Sequence, residues 1–412
     1  MSKQWRWIRP QHLIGIFIGI GLIGAIALGF GVNGSVFKGQ RFTSVPPVLA
    51  PVVAADNPVE LRGVWLTNID SSVLFSANEV RYGLQRLAQL NFNTIYPTVW
   101  NWGYTLYPSA IAQSAVGETI DPHIGWQNRD LLEELVEQSH ELGLAIMPWF
   151  EFGLMTPSYA ELARRHPNWM GQRQDGSSVV MQGRHPRKWL NPLHPDVQQL
   201  IVGLITEVVQ RYDIDGIQLD DHFGMPVELG YDPYTVAYYR ETHEGQDPPT
   251  DVNDLDWVQW RADIITQLMG QIVTAVRLIK PDCHISLSPN PQPFARDKFL
   301  QDWEQWQQLG YLDDLIVQVY RGGMESFEAE LDRSRLQGIK GQLPISIGIL
   351  TGLRNRPTED ELIVQQVQAS RDRAFSGVSF FFYESLGDRD SLFQRLFPAP
   401  ALRPGEAVSQ VE

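Results

Sequence analysis

The amino-acid sequence predicts an α/β fold, a single (β/α)8 TIM barrel, and three observations predict it. Eight short apolar runs rich in β-branched and aromatic residues read as parallel strands buried on both faces. Amphipathic stretches fall between them, and alternating βα units imply a parallel sheet. The competing architecture, a doubly wound open sheet, carries a glycine-rich phosphate turn after its first strand. The corresponding stretch here, Asn68-Ile69-Asp70-Ser71-Ser72, has no glycine.

The elements follow in order along the 412 residues. Residues 1–12 carry Lys3, Arg6 and Arg9, and the run Leu13–Val32 that follows has no charged residue. That run is long enough to cross a hydrocarbon core of about 30 Å. The basic flank puts the N-terminus in the cytoplasm and the rest outside, in the periplasm or beyond. An uncleaved inner-membrane anchor over 13–32 is the expectation, with a cleaved signal segment as the alternative. Residues 33–58, with Val45-Pro46-Pro47 and Ala50-Pro51, lack periodicity and read as a linker. The barrel is expected over 59–396 and a disordered tail over 397–412. Its strands are expected at 61–67, 93–100, 144–150, 216–221, 284–289, 315–320, 344–350 and 378–383. Helices are expected at 79–90, 130–142, 196–212, 256–279, 297–309, 325–336 and 359–374. Turn chemistry such as Leu142-Gly143 and Leu309-Gly310 closes several of them.

Composition narrows the function. The net charge is −15, with no basic cluster beyond the N-terminus, so nucleic acid is not an expected partner. The one cysteine, Cys283, allows neither an intramolecular disulfide nor a cysteine metal cluster, and its apolar surroundings predict burial. His123, His185, His194, His222 and His243 lack metal-ligand spacing, and neither metal nor cofactor is expected.

Barrel chemistry sits at the C-terminal ends of the strands and in the loops that follow. The two long connections, 151–195 and 221–256, both leave such ends. In Asp215-Gly216-Ile217-Gln218-Leu219-Asp220, two-residue alternation sends Ile217 and Leu219 toward the helices and Gln218 and Asp220 into the barrel. A buried unpaired carboxylate costs several kcal/mol, so Asp220 reads as catalytic. The structural alternative is an ion pair with Arg62 or Arg321. Glu151, on the neighbouring strand, is the expected partner carboxyl, its alternative being a salt bridge to Arg164, Arg184 or Arg187. Glu384 competes for that role, or is a hydrogen-bond acceptor at the rim. Glycoside hydrolysis needs two such carboxyls, one protonated and one ionised. Trp100, Asn101, Trp149, Asp221, His222, Asn290, Gln318 and Tyr320 lie at the same strand ends and are expected to bind substrate. Aromatic walls with a few placed polar groups suit sugar rings.

The segments Glu60-Leu61-Arg62-Gly63-Val64-Trp65-Leu66-Thr67, Asp215 to Phe223, Trp189-Leu190-Asn191-Pro192 and Gln318-Val319-Tyr320 resemble the glycosyl-hydrolase-like 10 family of bacterial envelope proteins. The resemblance spans residues 58 to 396. It implies a barrel, export, and action on glycans, with peptidoglycan strands as the leading substrate. It maps the family's strand-four aspartate onto Asp220 and adds Arg62 and Asn191 as substrate-site or site-framing positions. His222 stands where relatives often have tyrosine. The Asp-Gly-x-Asp-x-Asp-x-Glu machinery of chitinase-type barrels is absent, since Gln218 and His222 replace its second aspartate and its glutamate. The expected function is a glycoside hydrolase of the cell envelope; the alternatives are a glycan-binding or scaffolding barrel without activity, and a metal-dependent hydrolase.

Overall fold

A computed structural model describes residues 57–353 and 356–405. The expected cytoplasmic N-terminus, the anchor over 13–32 and nearly all of the linker lie outside the described residues, as does the end of the tail.

Twelve strands frame the site: β1 Leu61–Leu66, β2 Thr94–Pro97, β3 Ala145–Ile146, β4 Trp149–Phe150, β5 Met155–Pro157, β6 Val180–Gln182, β7 His185–Trp189, β8 Gly216–Asp220, β9 His284–Ser288, β10 Asp314–Gln318, β11 Ile345–Leu350 and β12 Gly377–Phe381. Nine of them form one curled parallel sheet in the order β3-β2-β1-β12-β11-β10-β9-β8-β4. Its two outermost members, β3 and β4, are consecutive pieces of one segment separated by Met147 and Pro148. Pro148 has no N–H to give to a ladder, which accounts for the interruption. The main chain on either side keeps pairing with β2 and the residues just after it, Met147 N–H donating to Ile95 O at 3.0 Å and Trp149 O accepting from Val99 N–H at 3.0 Å.

Helices α1 Ala77–Gln89, α2 Leu131–Glu141, α3 Pro195–Arg211 and α4 Leu255–Ile279 follow the sequence periodicity closely. The expected helix at 297–309 is two short ones, α5 Phe294–Phe299 and α6 Trp303–Gln308. Leu300 between them adopts a left-handed conformation (φ 56°), which no continuing helix accepts. The amphipathic faces pack outside the sheet against Val64, Leu66, Ile217 and Leu219. A separate apolar cluster fills the inside of the curl: Trp65, Tyr96, Met147, Trp149, Ile316, Tyr320, Phe381 and Phe382. Alternation thus divides β8 as expected. Gly216 opens that strand because a Cβ there would meet His284 O at 2.3 Å.

The connection after β4 contributes a small antiparallel sheet, β5-β7-β6. The tail differs from expectation through residue 405. Phe397, Ala401 and Leu402 are buried, and Glu60 N–H donates to Leu402 O at 2.9 Å. Apolar side chains in a stretch without periodicity found a groove at the N-terminal end of β1, so the expected disorder does not reach 397–405.

Candidate active site

Gln218 on β8 stands opposite Trp149 on β4, and Leu219 opposite Phe150. Asp220 and Glu151 therefore follow side by side at the C-terminal ends of neighbouring strands, which run about 4.8 Å apart. Beneath them the interior is closed by polar contacts as well as rings. Trp65 Nε1 donates to Gln218 Oε1 at 2.7 Å, and Gln218 Nε2 to Ser286 Oγ at 3.0 Å.

Both carboxyls are nearly sealed, Asp220 at 2% and Glu151 at 4% exposure. Asp220 Oδ1 accepts from Gln318 Nε2 at 2.7 Å, and its Oδ2 lies 3.3 Å from His222 Nδ1. Gln318 is itself positioned by Ser288, whose backbone oxygen and Oγ accept from Nε2 at 2.9 and 3.1 Å. Glu151 is held differently. Thr67 Oγ1, Thr98 Oγ1 and Asn101 Nδ2 all donate to Oε2, at 3.0, 2.8 and 3.0 Å. Among the described residues no hydrogen bond reaches Oε1.

His222 joins the two. Its Nδ1 lies 3.1 Å from Glu151 O and 3.2 Å from Asp221 Oδ1, besides the Asp220 contact. Three acceptors fix a proton on Nδ1 in either charge state of the ring. Nε2 faces the Gln182 amide at 3.1 Å, and that amide can turn its oxygen inward when the ring gains a second proton. Asn290 Nδ2 donates to Asp221 Oδ2 at 2.7 Å.

Burial sets the electrostatics. It pushes the Asp220 carboxyl well above the ordinary aspartate range; Asp221 adds to the rise, and His222 opposes it. Burial also raises Glu151, against its three donors and His222. On His222 burial works the other way, but Asp221 and Asp220 outweigh it and raise the ring to about 9. Donor atoms of Asp220, Asp221 and His222 lie within 4.8 Å of one another. These are the residues that could hold a divalent cation, which would have to displace the proton on Nδ1.

The structure brings together Asp220, Glu151, Asn101, Asp221, His222, Asn290 and Gln318. Tyr320 is buried beside them, its hydroxyl pKa raised by burial and by the charges of Asp220 and Asp221. Among the described residues no arginine lies within ion-pair distance of either carboxyl, although Arg187 and Glu151 act on each other through charge. Arg62 binds Glu60, Arg164 binds Glu161, and Arg321 binds Glu330.

Other expectations are corrected. Arg62 lies at the N-terminal end of β1, away from the strand tips. It donates to Glu60 at 2.8 Å and Ala399 O at 2.5 Å and stacks over Phe397, so it docks the tail. Asn191 is buried and spends its amide on Asp232 (3.0 Å) and Thr235 (2.8 Å), tying its loop to the first turn of the helix Pro233–Thr242. Trp100 is buried and donates to Gly153 O at 3.0 Å, and Trp149 belongs to the interior cluster. Both support the site from behind rather than face a ligand. Glu384 accepts from Ser71 Oγ at 2.7 Å and from the Ser72 amide, pinning the loop after β1 as a rim acceptor. Thr67 and Thr98 were missed as Glu151's holders. Alternation from Trp65 and Tyr96, both inside the curl, sends each of them inward and was the available signal.

The sequence profile of the glycosyl hydrolase-like 10 family matches residues 60–370. The chain is 26% identical over 303 residues to glycosyl hydrolase YngK of Bacillus subtilis, covering 65% of this chain and 55% of that protein. It is 25% identical over 311 residues to glycosyl hydrolase DigH of Escherichia coli K12, covering 66% of this chain and 67% of the other. The chain thus spans little more than half the length of the Bacillus relative. In fold it is similar to the PgaB (BpsB) glycoside hydrolase domain from Bordetella bronchiseptica, with TM-score 0.59, 13% identity, and coverage of 81% and 97%. The catalytic domain of β-amylase from Paenibacillus polymyxa gives 0.58, at 12% identity and coverage of 82% and 98%.

Proposed function

This chain belongs to the glycosyl hydrolase-like 10 family, and from that membership and the paired carboxyls we propose that it hydrolyses an envelope polysaccharide, the glycan strands of peptidoglycan. The curled sheet is read as a working (β/α)8 barrel. The apolar run at 13–32 is read as its inner-membrane anchor, with the barrel on the far side of the membrane. The observation that carries the reading is the asymmetry between Glu151 and Asp220 on adjoining strands. Every donor to Glu151 falls on Oε2, whereas both oxygens of Asp220 face N–H groups.

That asymmetry supports distinct roles. Glu151 donates the proton on Oε1 to the glycosidic oxygen as the C–O bond breaks. Asp220, its negative charge held by Gln318 and His222, attacks the anomeric carbon or takes a proton from the attacking water. Its raised pKa makes it a stronger base than a solvated aspartate. Mass spectrometry of products from glycan strands, with and without stem peptides, tests this. New reducing ends are expected, absent with Glu151→Gln; intact strands after long incubation with the unaltered protein refute hydrolysis. The near-complete burial of both carboxyls favours a second reading, a glycan binder without activity. Retention of strands with no released product would support it.

A further inference from the structure

Arg187 is 3% exposed, yet its Nε has no hydrogen-bond partner, and among the described residues no carboxylate pairs with its guanidinium. The contrast with other buried arginines is sharp. Arg261 reaches the backbone oxygens of Val227, Leu229, Val252 and Trp257, and Arg62 has Glu60 and Ala399. Arg187 instead lies against ring faces, 5.3 Å from the centre of Trp102 and 5.1 Å from that of Phe152, with Glu151 and Tyr159 acting on it through charge but, among the described residues, accepting no hydrogen bond from it. Such contacts favour a cation but accept none of its five N–H groups. A buried charge left without an acceptor is costly unless a ligand supplies one.

Its placement points to the ligand. Phe152 follows Glu151 directly, and its ring lies 6.0 Å from that of His222. The β6–β7 hairpin that carries Arg187 also carries Gln182 to His222. Beside Trp102 stands Tyr159, 70% exposed, with ring centres 6.4 Å apart. A cation seeking a planar two-oxygen acceptor thus adjoins an aromatic platform at the edge of the carboxyl pair.

We propose that Arg187 reads a carboxylate on the substrate, so that the site takes an acidic saccharide whose apolar ring face lies on Trp102 and Tyr159. The carboxylate is either a lactyl ether group, as on muramic acid, or the ring carboxylate of a uronic acid. The inference rests on the glycan reading above and makes Arg187 a specificity residue, outside the bond-breaking step.

The test uses the full chain carrying Asp220→Asn, so that bound sugar is not cut. Probes are peptide-free peptidoglycan strands, the same strands with carboxyls converted to methylamides, oligogalacturonate, and a chitin oligosaccharide. One acidic probe is expected to bind about tenfold or more tighter than the neutral ones, the usual scale for a charge-assisted pair. Which acidic probe wins identifies the source. Arg187→Met should erase that preference while leaving neutral binding in place, and Arg187→Lys should keep part of it. Equal affinity for acidic and neutral probes overturns the proposal, as does an Arg187→Met variant that loses both alike. A folded protein that binds no probe at all overturns the glycan reading with it, whereas binding without preference sinks only the role of Arg187.

Discussion

Replacing Asp220 with Asn separates chemistry from stability, because the structure predicts opposite outcomes for the two. An amide has one oxygen and one NH2, so only one of the two present donors can keep its acceptor. Gln318 Nε2, at 2.7 Å, is also held by Ser288 and cannot turn away without breaking those bonds. The oxygen therefore stays with Gln318 and the NH2 faces His222. That ring loses one acceptor at 3.3 Å but keeps Glu151 O at 3.1 Å and Asp221 Oδ1 at 3.2 Å. The lost bond is worth about 1–3 kcal/mol. Against it stands the relief of removing a carboxyl that burial pushes well above its ordinary pKa. Net stability should change by no more than about 2 kcal/mol, and the thermal midpoint by a few degrees at most. Activity should fall by roughly 10²- to 10⁴-fold or more, since the base or nucleophile is gone. Reducing-end release and a thermal melt on the same samples decide it. Near-full activity in a folded Asp220→Asn protein refutes the assignment. A melt lowered by about 10 °C refutes the structural reasoning instead.

Three further outcomes follow from the same geometry. Glu151→Gln can still accept from Thr67, Thr98 and Asn101 but carries no acidic proton, so hydrolysis of natural linkages should fall at least about 10²-fold, and substrates with activated aryl leaving groups should lose less. The pH–rate profile of the unaltered protein should be a bell, because activity needs one carboxyl of the Asp220–Glu151 pair ionised and the other protonated. Burial raises both groups, so both limbs should lie above the ordinary carboxyl range of about 4, and kcat/KM against pH measures this. Arg62→Ala removes one of the two guanidiniums on the buried Glu60, which keeps Arg371, together with the donor to Ala399 O, and should cost about 1.5–3 kcal/mol in denaturant titration, with activity per folded molecule unchanged. Glu60 also gives an acid signature. Burial pushes its carboxyl up, but hydrogen bonds from Arg371 and Arg62 outweigh that and hold it below the usual value of 4.5. A folded pKa below the unfolded one means stability fully present above about pH 4.5 and lost as pH falls through the lowered value. Arg62→Ala should weaken that acid dependence.

Much of this molecule was legible without coordinates, for a definite reason. Two-residue alternation tells which face of a strand a side chain takes, and it sent Gln218 and Asp220 inward and Ile217 and Leu219 outward, as observed. The order of apolar runs told which strands adjoin, which placed Asp220 beside Glu151. What alternation cannot tell is what a distant part of the chain brings to a face. Arg62 lies on a motif strand, yet residues 397–405 occupy its surroundings and turn it into an anchor for the tail. Asn191 and Glu384 were drawn off in the same way, by Thr235 and by Ser71. Tertiary structure also decided that Arg187, carried on an inserted hairpin, ends up buried with its Nε unpaired. Local pattern is written in neighbouring residues, whereas the partner of a buried charge depends on loops whose paths only the assembled fold determines.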